Sequence, residues 1–136
     1  MKRSFLIGYQ LLIGLSDTLT GALLIFAPDF ALRLMFLEAP EAALIYVSFI
    51  GAFVFSVGVA CLYGAFLTYQ GQLGRRLGTV WALTALTRGS VAFFVVAQVA
   101  LRALPAGWLT VAVTDGACVL IQVIGLRKGW LTSDPL

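Results

Sequence analysis

Residues 79–101 read TVWALTALTRGSVAFFVVAQVAL, an apolar run broken near its middle by one charge, Arg88. About 20 apolar residues in helical form cross the hydrocarbon core of a bilayer, so this stretch reads as a membrane span. A charge at the bilayer centre costs roughly 3 kcal/mol or more and marks a functional site. Three further stretches have the same character: Phe5 to Ala27, Ala43 to Tyr69, and Gly107 to Leu126. The first carries Asp17 and the last carries Asp115.

Composition agrees with that reading. Of 136 residues, 61% are hydrophobic and 11% charged, with a mean hydropathy of +1.01. Soluble domains carry about 25% charged residues, so this chain lacks the charge to cover a water-facing surface. An integral membrane protein of one domain, residues 1–136, is expected. The net charge of +3 comes from dispersed basic residues in clusters no longer than two, which excludes a nucleic-acid patch. Cys61 and Cys118 lie in apolar runs without CxxC spacing and read as small buried hydrophobes. There is no His, so the commonest zinc ligand, the usual haem ligand and the Ser-His-Asp triad are all missing. No cofactor is called for, and no acid cluster has metal-ligand spacing.

The connections set the architecture. Pro28 and Pro40 bracket a segment in which Phe30, Leu34 and Leu37 recur at helical spacing, which predicts a short amphipathic helix on the membrane surface. The links QGQLGRR (70–76) and RALPAG (102–107) are short, so sequential helices should be antiparallel neighbours in an all-α, up-down-up-down four-helix bundle. Lys2, Arg3, Arg75, Arg76, Arg127 and Lys128 fall on one side, Arg33 and Arg102 on the other. The positive-inside rule then puts both termini in the cytoplasm, consistent with a bacterial inner membrane. Trp108 and Trp130 fall near the interfaces. The first span is too long, and too interrupted by Asp17, for a cleaved signal peptide. A faint echo links Gly14-Leu15-Ser16-Asp17 to Ala112-Val113-Thr114-Asp115, in helices of opposite direction, as inverted repeats require.

Depth gathers the three charges. At 1.5 Å per residue, Asp17 lies about 18 Å, Arg88 about 14 Å and Asp115 about 16 Å from the cytoplasmic side. Gln10, Gly14, Asp17 and Gly21 form one stripe, and Asp115, Cys118, Gln122 and Gly125 another. Thr84, Arg88 and Gln98 share a broad face beside Trp81. In the second span Ser48, Ala52, Ser56, Ala60 and Gly64 recur every four residues, a pattern that permits close helix contact in lipid.

Three readings compete for this constellation. It could fix the register of the bundle or bind a neighbouring subunit, although buried ion pairs rarely add net stability. It could bind a hydrophobic small molecule of isoprenoid, sterol or quinone type, with aromatic side chains such as Phe93 and Phe94 supplying apolar surface. Two acids and one guanidinium leave an excess negative charge, which desolvation relieves by leaving one Asp protonated. Asp17 and Asp115 would then be an acid–base pair for isomerisation or cyclisation, with Arg88 setting their charges. Trp81, Ser56, Gln98 and Gln122 are the further ligand-binding candidates. The third reading is a proton or ion pathway in a homo-oligomer.

The pieces GLSDTLTGALLIFAP (14–28), IGAFVFSVG (50–58) and Leu86-Thr87-Arg88-Gly89, with an acid midway along the last helix, resemble the DoxX-like group of small four-helix bacterial membrane proteins. That resemblance implies the bundle more than an activity. The acids inside a helical bundle are also similar in kind to those of membrane-embedded sterol isomerases and small terpene cyclases. The accessory subunit of a larger membrane complex is the main alternative to a ligand-binding protein.

Overall fold

The computed structural model describes residues 2–132. These form five α-helices and no strand: α1 (Lys2–Phe26), α2 (Pro28–Leu34), α3 (Leu44–Tyr69), α4 (Arg75–Ala100) and α5 (Leu109–Arg127). Short 3-10 turns, Glu41–Ala43 and Ala106–Trp108, lead into α3 and α5. The four long helices, with these turns, are long and apolar enough to cross a membrane. They match the expected spans except that α1 and α4 begin earlier, at Lys2 and Arg75, where each helix continues past its apolar limit into basic residues that are good helix formers. Large apolar side chains, among them Leu19, Phe53, Leu86 and Leu120, are exposed on all four. The chain divides between Phe66 and Leu67 into two compact units.

In the first unit α1 and α3 pack antiparallel along glycines. Gly14 and Gly21 on α1, and Gly51 and Gly58 on α3, are each seven residues apart. A methyl group on Gly58 would sit 2.5 Å from the Thr18 amide nitrogen, and one on Gly21 would collide with the Phe55 backbone. The two main chains therefore touch. The expected seam differed: Ala52 and Ser56 are exposed, and the adjoining face bearing Gly51 and Gly58 is used instead. Helical geometry explains why. A four-residue spacing rotates about 40° per step around the helix, whereas a seven-residue spacing drifts only about 20°.

The expected short helix between the first two spans is α2, which ends before the third of its predicted apolar positions. Pro28 starts it, its ring fixing a helical φ. Its buried residues are Ala31 and Leu32, while Phe30 and Leu34 are exposed. The predicted third apolar position, Leu37, lies beyond the helix end, and it is buried. The helix stops because Phe36 turns left-handed (φ 57°), letting Leu37 N–H reach the Leu32 carbonyl at 2.8 Å. An exposed Asp29–Arg33 ion pair (2.8 Å) decorates its surface, worth little in water.

The second unit repeats this connection. Arg102 is also left-handed (φ 59°), and Ala103 N–H reaches the Gln98 carbonyl at 2.8 Å. In both units a proline, Pro40 or Pro105, then caps a 3-10 turn that opens the return helix. The repeated feature is thus the helix–turn–helix connection within each unit. The sequence echo linked Asp17 in α1 to Asp115 in α5, a different pairing of helices. Backbone conformation carries the repeat, and of its residues the prolines and the leucines that open the return helices, Leu44 and Leu109, coincide in type.

Candidate functional site

The second unit holds a polar seam between α4 and α5, built in three tiers. At the base Trp81, fully buried, lies over Gly125; a methyl group there would be 2.6 Å from the indole of Trp81 and 2.9 Å from that of Trp130. One turn along α4, Thr84 Oγ accepts a hydrogen bond from Gln122 Nε2 at 2.7 Å. A further turn on, Arg88 Nη1 donates to Asp115 Oδ1, also at 2.7 Å. The first step covers three residues on each antiparallel helix, whereas the second covers four on α4 and seven on α5, a difference of about one turn.

The electrostatics follow from burial. The Arg88 side chain is 4% exposed and that of Asp115 16%, so the pair is largely removed from solvent. A short charge-assisted hydrogen bond offsets part of the desolvation cost. Arg88 sits at the middle of the 26-residue α4, the position farthest from either end of a span. The neighbouring glycines are of two kinds. Gly125 is required by the Trp81 ring, whereas a methyl group on Gly116, next to Asp115, would meet no atom within 4 Å.

Arg88, Asp115, Trp81 and Gln122 come together on the α4–α5 seam. Asp17 belongs to the first unit, half-buried on α1 between Gly14 and Gly21. Gln98 shares α4 but lies ten residues beyond Arg88, about 15 Å along the axis, where its carbonyl helps close the helix end. Ser56 is exposed on α3 and donates to the Phe53 carbonyl at 2.7 Å. Thr84 carries a larger role than its place in a stripe suggested, as the partner of Gln122. In the sequence it is a Thr one helical turn before Arg88, with no signal there to set it opposite Gln122.

Cys61 and Cys118 are both buried. Among the described residues no group of three or more His, Cys, Asp or Glu side chains is placed to hold a metal ion. Comparison with models of known families, with curated proteins and with solved structures gives no match.

Proposed function

We propose that this is an integral membrane protein that binds a lipid-soluble ligand of isoprenoid, sterol or quinone type at the α4–α5 seam. The observation that carries the reading is Arg88: a guanidinium midway along a candidate span, almost fully buried and paired with Asp115. Charge at that depth is retained where it does work. The seam also has the composition of a small-molecule site, with Trp81 as apolar wall and a few convergent polar groups. Four crossings put both termini on one side, and the basic residues near Arg75 and Arg127 select the cytoplasmic face of a bacterial inner membrane. The resemblance to the DoxX-like group points the same way, to a small membrane protein.

A carboxylate held by a guanidinium is foremost an acceptor and an anchor, so binding comes ahead of turnover. The test is purification from native membranes in mild detergent, followed by mass spectrometry of copurifying lipids and proteins. One enriched isoprenoid, sterol or quinone-type lipid is expected with the wild type and is lost from Arg88→Leu/Asp115→Leu. Recovery of a stable multi-protein complex with no enriched lipid would instead make the chain an accessory subunit and defeat the proposal.

A further inference from the structure

The Thr84–Gln122 pair says more about the ligand than the charges do. Thr84 Oγ donates to the Val80 carbonyl at 2.8 Å, with the Trp81 carbonyl at 3.2 Å, so its single proton is committed to its own helix. Towards Gln122 it can only accept, and it is met by the amide NH2. That fixes the orientation of the amide. Gln122 Oε1 is turned away from Thr84 and has no hydrogen-bond partner among the described residues, although the residue is only 1% exposed. An unmatched buried acceptor is costly, and lipid chains offer no donor to relieve it.

We propose that Gln122 Oε1 receives the hydroxyl of the bound ligand. The site then selects lipid-soluble alcohols, such as isoprenoid alcohols, sterols or the quinol form of a quinone, over the matching ethers, ketones or quinones. This rests on the ligand-site reading above and narrows it to ligands that donate a hydrogen bond. A donating head group completes the amide. An ether or carbonyl oxygen would set acceptor against acceptor, which is discrimination by an unpaired polar group. Bound water offers the same O–H chemistry, and the two sources separate experimentally.

The full chain is placed in lipid nanodiscs and photo-crosslinked to a diazirine-bearing geranylgeraniol. Unlabelled geranylgeraniol or its methyl ether then competes, at matched concentration in the bilayer. The alcohol is expected to compete about tenfold better, the loss of one hydrogen bond to a buried partner. In Gln122→Met, which keeps length but removes the acceptor, the two should compete equally. Equal competition in the wild type would mean that water fills the role and would overturn the proposal. Stronger competition by the ether would show the amide reversed, and would overturn it too. If the probe gives no saturable crosslinking, the ligand-site reading itself falls, and this inference with it. The wild-type comparison decides the matter even where Gln122→Met does not fold.

Discussion

Arg88 and Asp115 meet through a 2.7 Å hydrogen bond between the facing sides of α4 and α5, 27 residues apart in sequence. Neither charge is in a favourable place alone, and each makes the other tolerable. Asp115→Leu should therefore cost about 3–5 kcal/mol, the cost of stranding a buried guanidinium, while Arg88→Leu/Asp115→Leu should recover most of it. Unfolding titrations in lipid–detergent micelles measure both. Equal losses in the single and double variants would show that the two side chains are not coupled.

Thr84 and Gln122 invite the same treatment with neutral groups. Thr84→Val leaves the Gln122 NH2 without its acceptor and should destabilise by about 1–3 kcal/mol. Thr84→Val/Gln122→Leu, which removes both partners, should lie closer to the wild type. A double-mutant cycle with a coupling energy indistinguishable from zero would count against the pair.

The glycines divide cleanly by what surrounds them. Gly116→Ala meets open space and gains helix propensity, so stability should stay level or rise by up to about 1 kcal/mol. Gly58→Ala drives a methyl group into the Thr18 backbone, and Gly125→Ala drives one into the Trp81 ring. Each should lose about 1–3 kcal/mol through overpacking. Thermal melts of the three variants side by side would rank them, and a destabilised Gly116→Ala would contradict the packing described.

The two left-handed turns give a stabilising prediction. Phe36 is 95% exposed, so Phe36→Gly sacrifices no packing while relieving a strained backbone. The gain should be about 1 kcal/mol. A loss of stability on that substitution would mean that the ring does work at the membrane surface.

Topology is open to direct labelling. With Cys61 and Cys118 replaced by Ala, Gln72→Cys should react with an impermeant maleimide only from the cytoplasmic face. Arg102→Cys should react only from the opposite face. Labelling of both from the same side would refute the four-crossing arrangement.

Much of the seam was legible in the sequence because each of its residues is an anomaly. Arg88, Asp115 and Gln122 interrupt apolar runs at helical spacing, and Trp81 lies seven residues before Arg88 on the same face. The register between helices was not legible. It is set by the left-handed turn at Arg102 and the proline cap at Pro105, and no periodicity within α4 or α5 encodes it. That is why the Thr84–Gln122 hydrogen bond went unforeseen. Ser56 and Gln98 were singled out by residue type alone. Polar side chains in apolar helices invite a functional reading, yet Ser56 satisfies its own helix and Gln98 stands near a helix end. The α1–α3 contact was half visible: the α1 stripe did contain Gly14 and Gly21, but on α3 a tidy four-residue pattern drew attention from the sparser seven-residue one.

The α1–α3 seam also bears on how this chain tolerates change over evolutionary time. In a water-soluble protein the large core residues are usually the least replaceable and the small surface ones the most. In a protein that spans the membrane, as proposed here, the order would be inverted: Leu19 or Phe53 could exchange for another hydrocarbon of similar bulk, whereas a side chain on Gly21 or Gly58 would be driven into the facing backbone. Sequence drift in such a protein would rewrite its bulky exterior and spare its smallest residues, so related chains could share little beyond a spacing of glycines.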